Sequence, residues 1–359
     1  MKIALSIGTR PEIIKMSPVV KELQSRNINF ILIHTNQHYD VELDKVFFEE
    51  LELPRPDYEL HPQSLKDHSH QIGNIMIKME EVLKKERPDL LLVQGDTNSV
   101  LASSLVASKL NIPIGHIEAG LRSYDRSMPE EVNRILTDHM SELLFAVTDK
   151  QKEILIEEGI QTDKVFIVGN TVVDVIKNCF NEDEISKALI EKLHLKQKEF
   201  ILFTAHRASN VDTEDSLNEI ILCLEELVIH NKVVWPIHPR TLDHLKNFNL
   251  SIPKEVLVIK PIGHKDFLSL IKCSSLVVTD SGGIQEEACV LRTPCITLRE
   301  NTERPETLDL VSNKIVGRDV NKLKEAVEYF KTGSLEWSSP FGDGKSAQKI
   351  IDIIQEKIK

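Results

Sequence analysis

The sequence predicts an α/β protein of two doubly wound parallel-sheet domains, and three observations carry that reading. Its 359 residues are about twice the length of an ordinary domain. Short apolar runs alternate with longer amphipathic stretches, as in strands buried on both faces with helices between them. The alternation then starts afresh near residue 199.

In the first run, residues 3–7 read as a buried strand and 11–25 as a helix. Pro11 sits at the first helical position, where its missing N–H costs nothing. Strands are expected at 30–33, 90–93, 112–117, 143–147 and 165–168, with helices at 72–85, 98–109 and 130–140. In the second run, strands are expected at 200–204, 232–236, 256–259, 276–279 and 294–297, with helices at 214–229, 265–272, 285–291 and 321–330. The seam falls within 170–199, a stretch holding the charged cluster Asn181, Glu182, Asp183 and Glu184. This divides the chain into domains 1–170 and 171–345. A last helix, 346–359, belongs either to the second domain or crosses back to the first.

Composition narrows the function. With 44 Lys and Arg against 56 Asp and Glu, the formal charge is −12. That speaks against a nucleic-acid partner, which calls for a basic field. A phosphorylated small molecule needs only a locally basic pocket. The five cysteines are odd in number and form no C-x-x-C, which suits neither a disulfide framework nor a zinc site. The first residues lack a signal peptide's long apolar region, and no run approaches the ~20 apolar residues of a membrane span. A cytoplasmic protein with no membrane partner is expected.

Each motif with chemical content ends a strand, where open α/β sheets bind ligands. Gly8-Thr9-Arg10-Pro11-Glu12 leads into the first helix and on to Lys15. Arg10 and Lys15 beside free helical N–H groups suit an anion; a tight turn with a solvated Arg is the plainer reading. In Gln94-Gly95-Asp96-Thr97, Asp96 is either a helix cap or a catalytic carboxylate. In His116-Ile117-Glu118-Ala119-Gly120, Glu118 makes a poor cap and poor core, which favours function. Met128-Pro129-Glu130-Glu131 opens a helix whose dipole alone would welcome acids. Asp96, Glu118 and Glu130 close together would shift each other's proton affinity, as acid–base work requires.

The second domain offers Thr204-Ala205-His206-Arg207, with a histidine able to exchange protons near neutrality. His238 in Ile237-His238-Pro239 is either structural or functional. The most specific motif is Asp280-Ser281-Gly282-Gly283-Ile284-Gln285-Glu286-Glu287. A strand enters a Ser-Gly-Gly turn and then a helix, whose N–H groups would hold a diphosphate. Glu287 would grip a ribose diol, and Arg304 would add charge to the same anion. The histidines lack metal-ligand spacing, and no nicotinamide fingerprint is present, so neither metal nor cofactor is expected.

Taken in order over roughly residues 1–345, these motifs resemble the non-hydrolysing UDP-N-acetylglucosamine 2-epimerase family. The resemblance implies a GT-B fold, two Rossmann-like domains with the active site in the cleft between them. It implies catalytic roles for Asp96, Glu118, Glu130 and His206. It places Arg10, Lys15, Ser281, Gly282, Gly283, Glu287 and Arg304 on the substrate, with Phe267 packed on the uracil. Arg207 and His238, also counted with the substrate-binding residues, resemble parts of a second, regulatory site, together with Gln37 and His38. The chain departs from several bacterial members there, offering Lys66, His68 and His70 where they carry an Arg. Met128 likewise stands where an aromatic residue is common. The implied ligands are UDP-GlcNAc, UDP-ManNAc and UDP, the implied assembly is a homodimer, and the product would supply cell-surface glycan synthesis.

The residue types fit the chemistry on their own terms. The sugar C2 hydrogen is not next to a carbonyl, so expulsion of UDP from C1 must come first to acidify it. Three carboxylates and an anion clamp serve that route. A glycosyltransferase using a UDP-sugar donor is the competing class, but it has little use for three acids in one domain. The same motifs would also suit a hydrolysing epimerase, or a sugar-nucleotide sensor without catalysis.

Overall fold

Seven parallel strands build the first sheet: β1 (Lys2–Ile7), β2 (Asn29–His34), β3 (Tyr58–Glu59), β4 (Leu90–Gln94), β5 (Ile114–Ala119), β6 (Leu143–Ala146) and β7 (Val165–Ile167), in the order β3-β2-β1-β4-β5-β6-β7. Around them lie α1 (Arg10–Ser25), α2 (His68–Glu86), α3 (Asn98–Lys109), α4 (Pro129–Met140), α5 (Asp149–Glu157) and α6 (Thr171–Cys179). The second sheet has six parallel strands: β8 (Phe200–Thr204), β9 (Lys232–Pro236), β10 (Val256–Ile259), β11 (Leu276–Thr279), β12 (Cys295–Thr297) and β13 (Asn313–Ile315), in the order β10-β9-β8-β11-β12-β13. Its helices are α7 (Lys187–Lys192), α8 (Ala208–Val211), α9 (Glu214–Val228), α10 (Pro239–Asn247), α11 (His264–Cys273), α12 (Gly282–Val290), α13 (Pro305–Asp309) and α14 (Val320–Thr332). One more helix, α15 (Ser346–Lys357), follows. This computed structural model describes residues 1–37, 47–61, 67–180, 187–333 and 336–358.

The near-continuous apolar strands are explained by burial on both faces. Leu5 and Leu92 enter one core with Ile117, while their neighbours Ala4, Leu91 and Val93 enter the other. Side chains alternate across a strand, so both faces must be apolar. Register pairs Leu5 with Leu32 and Leu92. In the second unit, Phe203 meets Trp235 edge to face, with ring centroids 5.1 Å apart.

The contacts divide the chain into Met1–Asn178 with Pro340–Lys359, and Cys179–Ser339. The first boundary therefore lies past the expected residue 170, because α6 stays with the first unit and buries Val172, Val175 and Ile176. The second lies ahead of residue 345. The Asp174 carboxylate of α6 accepts the backbone N–H groups of Ser346 (3.2 Å) and Ala347 (2.9 Å), capping α15. Helix α15 then buries Ile350, Ile351 and Ile354 in the core that α1 lines with Met16, Val20 and Leu23. Arg26, at the end of α1, reaches Asp352 at 2.5 Å.

Two boundaries move for local reasons. β5 runs to Ala119 rather than stopping at 117, since a bulge between Ile117 and Ala119 carries it past Glu118. α12 starts at Gly282, so both glycines form its first turn and Ser281 is the capping residue; the Ser-Gly-Gly segment is not a separate turn ahead of the helix. All five cysteines are free thiols. Among the described residues, no helix is long and apolar enough to cross a membrane.

Candidate active site

Both sheets reverse their winding at one place, between β1 and β4 in the first unit and between β8 and β11 in the second. Loops leaving the carboxyl ends of such a strand pair diverge and open a ligand crevice. Arg10 follows β1, and Asp96 follows β4. His206 follows β8, and Ser281 follows β11. The strongest sequence motifs thus stand at the two switch points.

In the first unit, the β1–α1 turn is pressed against α3. A Cβ on Gly8 would lie 2.1 Å from Ser99 Oγ and 2.4 Å from Thr35 Oγ1, so only glycine fits. Half-buried Arg10 has its guanidinium 5.8 Å from the centre of the Phe47 ring. Lys15 points inward from α1 and pairs with Glu118; both side chains are buried. Gln94 Nε2 and Asn170 Nδ2, the latter at 2.9 Å, also donate to Glu118. Glu118 has φ of +67°, the left-handed region that a side-chain-bearing residue avoids. With the bulge, this conformation turns the carboxylate out of the strand's alternation and toward the sheet's end.

Asp96 sits beside it. The Gly95 N–H donates to Ile117 O at 3.1 Å, which holds the two strand ends together. Arg134 grips the Asp96 carboxylate through Nη2 and through Nε at 3.1 Å, and Asn133 Nδ2 donates to the Asp96 carbonyl at 3.0 Å. Both partners come from α4, whose first turn carries Glu130. Glu130 is half-buried and has no hydrogen-bond or ion-pair partner among the described residues. Its neighbour Glu131 is the buried one. It accepts from Ser123 N at 2.9 Å and Tyr124 N at 2.8 Å and pairs with Arg134. The structure therefore gathers Asp96, Glu118 and Glu130 at one end of one sheet.

Behind them runs a buried charged chain that the sequence motifs do not single out. His116 contacts Asp138 through Nδ1 at 2.7 Å and the Gly95 carbonyl through Nε2 at 2.8 Å. Arg122 donates to Asp138 at 2.7 Å and to Glu158 at 2.6 Å. Burial alone would raise the Asp138 carboxyl, but the His116 and Arg122 charges and hydrogen bonds outweigh it and hold it below the usual carboxylate range.

In the second unit, Asp280 organises the β8–α8 turn. Its carboxylate accepts the N–H groups of His206 and Arg207, each at 2.9 Å, and Asn210 Nδ2 at 3.0 Å. His206 Nδ1 lies 3.2 Å from the same carboxylate, which leaves Nε2 of this exposed ring for a ligand. Burial raises the Asp280 carboxyl; its bonds to His206 and to the backbone bring it below the ordinary value.

The α12 N-terminus presents its free backbone N–H groups at the end of β11. Arg304 lies over it, its Cζ 3.9 Å from where a Gly282 Cβ would be. Arg304 pairs with buried Glu286 at 2.5 Å and lies 3.9 Å from Glu303. Arg299 holds Glu303 with two bonds of 2.8 and 2.9 Å, and Arg207 approaches it at 3.9 Å. Against the penalty of burial, these cations hold the Glu303 carboxyl well below the usual range. Glu287 is buried and accepts from His264 Nε2 at 2.8 Å. Partly buried Phe267 is on α11, the helix that His264 opens.

The remaining expected residues make local contacts. Exposed His238 caps α10, accepting from Arg240 N at 3.2 Å. Gln37 Oε1 accepts from Ser99 N at 2.9 Å and Ser99 Oγ at 2.8 Å, and Asn98 Nδ2 contacts His68 Nδ1 at 2.9 Å. His38 and Lys66 lie outside the described residues. Sequence reasoning missed Glu12, Asp138, Arg134, Asp280, Arg299 and Glu303. Most stand within or just beside one of the motifs, but spacing does not tell which of several adjacent charges turns inward.

The family model for UDP-N-acetylglucosamine 2-epimerase matches residues 21–355. A curated UDP-N-acetylglucosamine 2-epimerase of Methanocaldococcus jannaschii is 48% identical over 363 residues, covering 99% of each chain. A crystal structure of the M. jannaschii UDP-GlcNAc 2-epimerase in complex with UDP-GlcNAc and UDP aligns with TM-score 0.93 and 47% identity, over 99% of this chain and 100% of that one. The Neisseria meningitidis UDP-GlcNAc 2-epimerase bound to UDP-GlcNAc aligns with TM-score 0.91 and 33% identity, over 99% and 100%.

Proposed function

Because the chain belongs to the UDP-N-acetylglucosamine 2-epimerase family, we propose that it interconverts UDP-GlcNAc and UDP-ManNAc at C2 without hydrolysing them. The observation that carries this reading is what each unit offers at the carboxyl ends of its strands. The second has a helix N-terminus with Arg304 over it, and the first has Asp96, Glu118 and Glu130 beyond β4 and β5.

In this reading the second unit holds the nucleotide. The α12 N–H groups with Ser281, Gly282 and Gly283, together with Arg304, bind the diphosphate; Glu287 takes the ribose and Phe267 the uracil. Arg10 and Lys15 add positive charge on the first unit. The C1–O bond breaks with its electron pair leaving on UDP, and a carboxylate of the first unit takes the C2 proton. The product is a 2-acetamidoglucal with a C1=C2 double bond, held beside UDP. Protonation of C2 from the opposite face, with return of UDP to C1, gives the epimer. His206, oriented by Asp280, meets the charge that develops on the leaving phosphate. Three acids on one sheet end favour this over a glycosyltransferase, which needs no proton taken from carbon. The reading includes a homodimer, as the family resemblance implies.

Proton NMR of UDP-GlcNAc with the protein in D₂O tests it. The expected result is a UDP-ManNAc anomeric signal with deuterium at C2 and no free sugar. Free ManNAc with UDP would assign hydrolysis instead, and an untouched spectrum under excess UDP-GlcNAc would remove the epimerase reading. A second expectation concerns the clamp. Arg304→Ala weakens UDP binding by about tenfold or more in calorimetry, the scale of one lost charge-assisted contact of roughly 1.5–3 kcal/mol. Unaltered affinity would take Arg304 off the diphosphate.

A further inference from the structure

Glu12 is the third residue of α1 and only 2% exposed. One of its oxygens accepts the Thr97 hydroxyl at 2.5 Å, and the other accepts the Gly8 N–H. A single carboxyl therefore joins the β1–α1 turn, which leads into the helix carrying Arg10 and Lys15, to the β4–α3 turn, which carries Asp96. No cation pairs with it among the described residues. Lys15 is taken by Glu118, and Arg134 by Asp96 and Glu131. The groups that face Glu12 are Thr9 and Gly8 from its own turn, and Thr97 and the Asp96 carboxylate from the β4–α3 turn.

We propose that Glu12 is a positioning residue for Asp96: it locks the two turns together, and its own charge state sets the electrostatic setting in which Asp96 works. The proposal rests on the epimerase reading for its activity arm. Burial, with help from Asp96, pushes the Glu12 carboxyl up to about 7, against the hydrogen bonds of Thr97, Gly8 and Thr9. Neutral Glu12 leaves the Asp96 carboxylate to Arg134 alone. Ionised Glu12 sets a like charge beside it.

Glu12→Gln keeps the shape and fixes the neutral form. The wild-type kcat/KM for epimerisation is expected to change with an inflection near pH 7. In Glu12→Gln that inflection is absent, and the rate keeps the value the wild type has on its acid side. In Thr97→Val, which removes a donor to the ionised form, the inflection moves to higher pH. An inflection that persists unchanged in Glu12→Gln overturns the proposal.

Thermal melting gives a readout free of activity. Because the folded value lies above the ordinary 4.5, this group's contribution to stability is whole below 4.5 and is lost as pH rises through about 7. The advantage of Glu12→Gln in melting temperature is therefore expected to grow from pH 5 to pH 8, and an advantage that stays constant also overturns the proposal. Wild-type protein inactive at every pH would defeat the epimerase reading instead, and the melting comparison would still decide the role of Glu12.

Discussion

Asp96→Asn lowers turnover by at least about a hundredfold, the usual scale for an acid–base group, while UDP still binds. Asn keeps the size of the side chain and an oxygen for Arg134, so the β4–α3 turn is held as before by Asn133 on the Asp96 carbonyl. What disappears is the carboxylate that can take or return a proton. Initial rates by coupled assay and UDP affinity by calorimetry separate the two effects. Unchanged turnover would remove Asp96 from the chemistry. A parallel loss of UDP binding would mean that the substitution had disturbed the fold instead.

The largest loss of stability is expected at Asp138→Asn, about 3–5 kcal/mol, the scale for breaking a buried ion pair. Asp138 is 1% exposed and accepts from His116, Arg122 and the Gly120 N–H. An amide offers one acceptor oxygen in place of two and no charge, leaving the Arg122 guanidinium buried beside a neutral group. Because the folded carboxyl lies below its ordinary value, its contribution is whole above that value and is lost as pH falls through the folded one. Urea unfolding at neutral pH, following the first unit's transition, checks this. A loss under about 1 kcal/mol would show that the chain from Glu158 to His116 is not held through Asp138.

The strands of both sheets were legible because burial on two faces writes itself as unbroken apolar runs, as in 90–93 and 276–278. The two-residue β3 and the polar β13, Asn-Lys-Ile, carry no such run, and each lies at the edge of its sheet. Helices α5, α6 and α10 are only nine residues each, too short to show a periodicity that stands out. At the site, the ends of strands located Asp96 and Glu118, but sequence could not see that Glu118 takes a left-handed backbone to aim its carboxylate. Nor could it divide Glu130 from Glu131, adjacent acids in one helical turn whose fates depend on which side faces the 123–124 loop. Glu12 stands in its motif without an evident role, since an acid in a first helical turn is ordinarily explained by the dipole. Its burial beside Thr97 depends on a chain segment some eighty-five positions away.

The return of α15 to the first unit has a consequence for synthesis. The second unit is an insertion, complete once residue 339 has emerged. The first unit, begun earlier, must wait for Ile350, Ile351 and Ile354 before α1 can close its apolar side. On the ribosome the order of completion is therefore the reverse of the order of translation. The later-made half can reach its native state while the earlier half is still a nascent intermediate with an uncovered core, which is the interval in which a chaperone has something to hold.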